Sequence, residues 1–126
     1  MVEHARIFYA EDSRVVRNAM RLNLQDLGHE IIVEVTTLDD GLEQINKAVE
    51  LGVNVAIIDG NLRPMDISCE DGRKLSSALK EAIPSIVIIA NPGGEIDPDY
   101  GDIIITKNER GAIAKIIDAI ESIPEV

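Results

Sequence analysis

Four residues with charged side chains each come directly after a short, mainly aliphatic run in the sequence. The acidic pair Glu11 and Asp12 follows the first run, Asp59 follows a later one, and Lys107 follows the last. If these runs are parallel strands of one sheet, their carboxyl ends lie at the same edge, where open α/β sheets bind ligands. The spacing therefore predicts that three carboxylates and one ammonium group converge at one site.

Three neighbouring carboxylates repel one another unless a cation neutralises them or their pKa values rise. We expect a hard divalent cation, Mg²⁺ or Mn²⁺, because such ions prefer oxygen ligands and can be held by one or two carboxylates in an open site. A carboxylate beside such an ion can attack a phosphoryl group while a lysine neutralises the charge on its oxygens. Asp59 is the candidate nucleophile, and Lys107 is the candidate lysine.

Each of these residues also has a purely structural interpretation. Adjacent acids such as Glu11 and Asp12 often mark a strand-to-helix turn, where they cap the helix or interact with its N-terminal dipole. An aspartate at the end of a strand is often a turn former, and a lysine there is usually solvated. The joint placement of all four residues after three separate strands favours the functional interpretation.

The runs that must position these residues alternate with longer stretches of helical period. This alternation is typical of a parallel sheet covered by helices on both faces. The predicted strands are Ile7–Ala10, Ile31–Val35, Val55–Ile58, Ile86–Ala90 and Ile103–Thr106.

Four apolar stripes with helical spacing predict the helices. Their members are Val16, Met20, Leu24 and Leu27 in the first, Leu42, Ile45 and Val49 in the second, Leu75, Ala78, Leu79 and Ala82 in the third, and Ile113, Ile116, Ile117 and Ile120 in the last. Gly28 and Gly52 follow the first two stripes, where a glycine can end a helix. The segment Asn91–Asp102 contains two prolines and three glycines. Because these residues break helices, we expect an irregular loop there in place of a fourth helix.

Length and composition set the domain organisation. A chain of 126 residues with 45% apolar residues can build one core, so we expect residues 1–126 to form a single domain with no attached output domain. Cys69 is the only cysteine, which excludes an intrachain disulfide and fits a reducing compartment.

Charge and hydropathy restrict the partners. The 12 basic and 23 acidic residues give a formal net charge of −11, which argues against direct contact with nucleic acid. No apolar run reaches the roughly 18 residues needed to cross a bilayer, and the first residues lack the pattern of a signal peptide. We therefore expect a cytoplasmic protein that does not bind membranes.

Three segments of the sequence resemble the receiver domains of two-component response regulators. RIFYAEDSRVVRNAM resembles their first strand, acidic pair and first helix, AIIDGNLRPM resembles their phosphoacceptor segment, and IIITK resembles their final strand and its lysine. The likeness extends over Arg6–Ile123. It implies a flavodoxin-like fold, which is a doubly wound α/β fold with a five-stranded parallel sheet in the order 2-1-3-4-5.

The resemblance also implies a role for each site residue. Asp12 would be a direct magnesium ligand, and Glu11 would act nearby, often through water. Asp59 would be both ligand and phosphoacceptor, the backbone carbonyl of Asn61 would be the third protein ligand, and Lys107 would pair with the phosphoryl group. The implied donor is a histidine kinase or another phosphotransfer protein, and an unidentified downstream protein would respond. Such a module accepts a phosphoryl group and autodephosphorylates, but it turns over no external substrate.

The sequence departs from the family at the residues that usually respond to phosphorylation. Ala90 and then Asn91 stand where a threonine or serine is customary, Ile104 replaces the customary aromatic residue, and Asn108 replaces the proline after Lys107. Asn91 is therefore the candidate for a substitute contact to the phosphoryl group. A trans peptide bond is expected after Lys107, since a non-proline cis bond costs about 2.5 to 4 kcal/mol.

Other functions remain open at this stage. A pseudo-receiver, which binds proteins without phosphorylation, would explain the missing threonine and aromatic residue. Aspartate-nucleophile phosphatases usually need a second acid two residues after the first, where this chain has Asn61. A flavodoxin-like electron carrier would need a hydroxyl-rich phosphate loop and flanking aromatic residues, but the chain has only three aromatic residues.

Overall fold

A parallel sheet forms the centre of the protein in the computed structural model, which describes residues 5–60, 62, 69–93 and 100–123. Within these residues the sheet has five strands in the order β2-β1-β3-β4-β5, and every neighbouring pair is parallel. The strands are β1 (Arg6–Ala10), β2 (Glu30–Val35), β3 (Val55–Ile58), β4 (Val87–Ala90) and β5 (Ile103–Ile104). The predicted flavodoxin-like order is confirmed, and it places the reversal of strand order between β1 and β3.

Helices cover both faces of this sheet. They are α1 (Arg14–Asp26), α2 (Leu38–Glu43), α3 (Ile45–Glu50), α4 (Glu70–Ala82) and α5 (Ala112–Glu121). Alternate residues of a strand point to opposite faces, so Ile7 and Tyr9 of β1 pack with α1 and α5, whereas Phe8 and Ala10 belong to the core beside α3 and α4. Within the described residues, no helix is both long and apolar enough to span a bilayer.

The second predicted helix differs from the structure in two respects. It is interrupted at Gln44, which separates α2 from α3. Its predicted apolar stripe was also wrong, because Leu42 and Val49 are 42% and 49% exposed while Gly41 and Ala48 are buried. A Cβ atom on Gly41 would lie 2.9 Å from Leu75 Cδ1. The small residues therefore face α4 because they allow close helix packing, and this turns the larger side chains outward.

The fifth strand is shorter than predicted, and Pro92 explains why. The parallel pairing continues past β5, since Ile105 N donates to Ala90 O at 2.9 Å and Lys107 N donates to Pro92 O at 2.8 Å. The reciprocal bond to Ile105 O would require an N–H group on Pro92, which proline lacks. Asn91 Nδ2 donates to Ile105 O instead, at 2.7 Å. A side-chain amide therefore completes the ladder where the backbone cannot.

The segment predicted to be irregular is described only at its ends. Residues 91–93 and 100–102 are not helical, and residues 94–99 lie outside the described residues. Tyr100 is only 5% exposed and packs in the core on the α4 side of the sheet. Its hydroxyl donates to Ile58 O at 2.8 Å, one residue before Asp59. The end of this segment is therefore attached to the strand that carries the central acid.

Two buried tyrosines allow a matched test of this contact. Tyr9 is also buried, but its hydroxyl makes no hydrogen bond to any described residue. We expect Tyr100→Phe to lower the free energy of unfolding by about 1 kcal/mol, because a buried hydrogen bond is lost. Tyr9→Phe should leave it unchanged or raise it by about 1 kcal/mol, because an unpaired buried hydroxyl is removed. Urea unfolding of both variants checks the pair, and equal effects would contradict it.

Candidate functional site

The backbones of β1 and β3 bring two acids to the same edge of the sheet. Glu11 N donates to Val35 O at 3.1 Å, and Asp59 N donates to Ala10 O at 2.9 Å. Each acid thus continues the ladder one residue past its strand. Glu11 is 0% exposed and Asp59 is 3% exposed, so both carboxyl groups lie beneath the surface.

The turn between β1 and α1 separates the environments of the two adjacent acids. Ser13 N donates to Glu11 Oε2 at 3.0 Å. Ser13 Oγ in turn accepts from Val16 N at 3.3 Å and caps α1. Glu11 therefore has a structural bond inside the turn, whereas the side chain of Asp12 remains exposed to solvent.

Lys107 reaches both buried acids from the strand at the other side of β4. Its Nζ atom lies 2.6 Å from Glu11 Oε1 and 3.1 Å from Asp59 Oδ2. The described residues contain no cis peptide bond, so the bond between Lys107 and Asn108 is trans, as predicted. The structure therefore brings the lysine to the acids without the proline found in the family.

The electrostatics of the site leave it short of positive charge. Burial and the carboxylate of Glu11 raise the pKa of Asp59 to about 8, against the opposing effect of Lys107. Burial also raises the pKa of Glu11, although Lys107 lowers it in part. For Lys107 itself, burial would lower the pKa, but the carboxylates of Asp59 and Glu11 outweigh burial and raise it. One lysine thus serves two buried acids.

The geometry of the carboxylates fits a divalent cation. One oxygen each of Glu11, Asp12 and Asp59 lie within 4.8 Å of one another. Hard cations are held by oxygen ligands of this kind, and a second positive charge would offset the burial that raises the pKa of Asp59. The predicted third ligand, Asn61, lies outside the described residues, so its carbonyl remains a prediction.

The surroundings of Asn91 and Ala90 show what replaces the family's responsive residues. Asn91 is 2% exposed, and its amide already donates to Ile105 O, so its contact with a phosphoryl group remains a prediction. Ala90 packs against Gly101, where an added Cβ atom would lie 3.0 Å from Ala90 Cβ. Ile104 is 47% exposed. The position of the customary aromatic residue is therefore held by an aliphatic side chain at the surface.

Two residues near the site were not predicted from the sequence. Tyr100 contacts the backbone just before Asp59, as described above. Arg17 of α1 donates from Nη1 to the backbone carbonyls of Glu11 and Asp12, at 3.0 Å each. The contacts of both side chains are to backbone carbonyls, which no residue pattern reveals.

Comparison with known proteins connects this geometry to one fold. No protein-family model and no curated protein matches the sequence. Among solved structures, the chain is similar to a CheY-like response regulator receiver domain protein from Methanospirillum hungatei JF-1, with a TM-score of 0.75, 19% identity and coverage of 93% of this chain and 90% of that one.

Two further structures have the same fold. The isolated REC domain of RcsB from Salmonella enterica serovar Typhimurium, in the presence of the phosphomimetic BeF3⁻, aligns with a TM-score of 0.72, 20% identity and coverage of 98% and 92%. The signal receiver domain of the response regulator NarL from Mycobacterium tuberculosis aligns with a TM-score of 0.69, 14% identity and coverage of 97% and 100%. The chain therefore has the receiver-domain fold.

Proposed function

We propose that this chain is a phosphoacceptor module of a two-component phosphorelay and that Asp59 accepts the phosphoryl group. The observation that carries the proposal is the placement of Asp59 at the switch between β1 and β3, with Lys107 Nζ 3.1 Å from Oδ2 and two further acids beside it. A buried carboxylate with a raised pKa and a specific charged partner is typical of functional sites. The receiver-domain fold supports the same conclusion.

The chemistry follows from the groups at this edge of the sheet. An oxygen of Asp59 attacks the phosphorus of a phosphohistidine, a P–O bond forms, and the P–N bond breaks with its electron pair leaving on the imidazole. Lys107 neutralises charge on the phosphoryl oxygens. Magnesium or manganese, held by Asp12, Asp59 and the Asn61 carbonyl with Glu11 nearby, would supply further neutralisation of those oxygens.

This function defines the partners. The phosphoryl donor would be a histidine kinase or a phosphotransfer protein, and the response would pass to a downstream protein. The net charge of −11 argues against direct binding to nucleic acid. The protein would act in the cytoplasm and lose its phosphoryl group by autodephosphorylation, without turnover of an external substrate.

A pseudo-receiver is the second candidate, and one observation favours it. The space beside Ala90, where the family has a hydroxyl residue, is filled by Gly101 at the end of the segment that contains Tyr100. In a pseudo-receiver, this face of the protein would bind a partner whether or not Asp59 carries a phosphoryl group. The two functions differ in whether the site binds a phosphoryl mimic.

Binding of beryllofluoride with magnesium tests the proposal. We expect ¹⁹F NMR signals from bound BeF3⁻ in the wild-type protein and none in Asp59→Asn, because the mimic bonds to that carboxylate. Asp12→Ala should weaken magnesium binding in calorimetry more than any other single change at the site, whereas Lys107→Ala should retain magnesium. Equal magnesium binding in wild type and Asp12→Ala, or bound BeF3⁻ in Asp59→Asn, would contradict the assignment.

A further inference from the structure

Arg17 connects the first helix to the turn that carries the two adjacent acids. It lies one turn into α1, and long helical side chains point back toward the N-terminus of their helix. Its Nη1 atom donates to both Glu11 O and Asp12 O, at 3.0 Å each. Its side chain is only 16% exposed, so these bonds are partly shielded from water. A planar guanidinium that holds two successive carbonyls restricts both peptide planes on either side of Asp12.

The second strand supplies the charge that supports this arginine. Glu34 Oε2 lies 3.8 Å from Arg17 Nε and 2.5 Å from Arg21 Nη2. Arg21 therefore shares the same counterion, but its other hydrogen bond goes to Asn18 and not to the acidic turn. The chain thus offers two arginines of equal charge on one helix, of which only Arg17 binds the carbonyls before Asp12.

We propose that Arg17 is a positioning residue for the cation site, since it fixes the backbone that directs the Asp12 carboxylate toward Asp59. This inference rests on the proposed function for the identity of the cation. Glu11 is held within the turn by Ser13 N and by Lys107. Asp12 is exposed, so the orientation of its carboxylate depends on the backbone conformation that Arg17 holds.

Magnesium affinity distinguishes positioning from simple electrostatics because the two effects have opposite signs. Removal of a positive charge near the acids makes the site more negative, which by itself strengthens cation binding. Loss of a residue that orients a metal ligand typically weakens binding by about 10- to 100-fold. We expect Arg17→Gln to weaken magnesium binding about tenfold. Arg21→Gln removes the same charge and should leave the affinity equal or slightly stronger.

A measurement without metal tests the same contact independently. Ser13 N–H is bonded to Glu11 within the turn, and its hydrogen exchange reports on the rigidity of that turn. We expect exchange at Ser13 to be about tenfold faster in Arg17→Gln and unchanged in Arg21→Gln. Arg17→Lys keeps the charge but loses the planar fork, so both measurements should give an intermediate value.

The outcomes separate this inference from the proposed function. If wild type and Asp12→Ala bind magnesium equally, the proposed site is wrong, and exchange at Ser13 still decides whether Arg17 holds the turn. If Asp12→Ala loses magnesium while Arg17→Gln binds it as well as Arg21→Gln does, the positioning role is overturned. If Arg17→Gln does not fold, the comparison of Arg17→Lys with Arg21→Lys applies the same criterion.

Discussion

Lys107→Met should destabilise the protein by about 3 kcal/mol near neutral pH when divalent cations are removed with a chelator. Lys107 is the cation that lies between Glu11 and Asp59, at 2.6 Å and 3.1 Å. Without it, two buried carboxylates lose their common positive partner, and breaking a buried ion pair on one side typically costs 3 to 5 kcal/mol. Urea unfolding of the variant and the wild type in chelator measures the difference.

An exposed lysine provides the control for this substitution. Lys115 forms an ion pair with Glu109 at 2.8 Å, and its side chain is 53% exposed. Solvent-exposed pairs contribute little, so Lys115→Met should leave stability nearly unchanged. Equal effects of the two substitutions would mean that the Lys107 pairs do not stabilise the fold.

Acid should stabilise the metal-free protein over the range in which most proteins gain nothing from it. The pKa of Asp59 is raised to about 8 in the folded protein, against about 3.9 for an unfolded aspartate. Between these values the folded state binds more protons than the unfolded state, so the free energy of unfolding falls as pH rises. The contribution of Asp59 is fully present below about pH 4 and is lost as pH rises to about 8, with a slope of at most about 1.4 kcal/mol per pH unit.

Unfolding in chelator at several pH values between about 5 and about 8 checks this slope. Asp59→Asn has no proton to release and should flatten the dependence, and it should be more stable than wild type at the upper end of the range. Saturating magnesium should flatten the wild-type profile as well, since a bound cation favours the ionised carboxylates. A wild-type profile in chelator that is flat or rises with pH would contradict the raised pKa.

The central strands and the four charged residues were predictable because both depend on local pattern and topology. Aliphatic runs define β1 and β3, and the edge at which parallel strands end follows from the fold class. Glu11, Asp59 and Lys107 needed only that edge to be placed together. Strand order 2-1-3-4-5 came from the resemblance to receiver domains, which the solved structures then confirmed.

The remaining features depend on contacts between distant segments. Gly41 decides which face of α2 is buried because it packs against Leu75, and no periodicity in α2 contains that information. Cys69 was interpreted as an incidental residue among polar neighbours, yet it is fully buried and adopts a left-handed conformation before α4, with a φ of 59°. Tyr100 and Arg17 bind backbone carbonyls, and every residue type supplies a carbonyl. Such contacts require coordinates.

The most direct test of the account is the location of phosphoryl groups after treatment with acetyl phosphate and magnesium. Intact-protein mass spectrometry and peptide mapping should find one phosphoryl group on Asp59 in wild type, removable by hydroxylamine as expected for an acyl phosphate. Asp59→Asn should gain none, while Asp118→Asn, which changes an exposed acid on α5, should be labelled like wild type. Undiminished labelling in Asp59→Asn, phosphate on Asp12, or no phosphoryl group in wild type would contradict the phosphoacceptor function, and the last result would favour the pseudo-receiver.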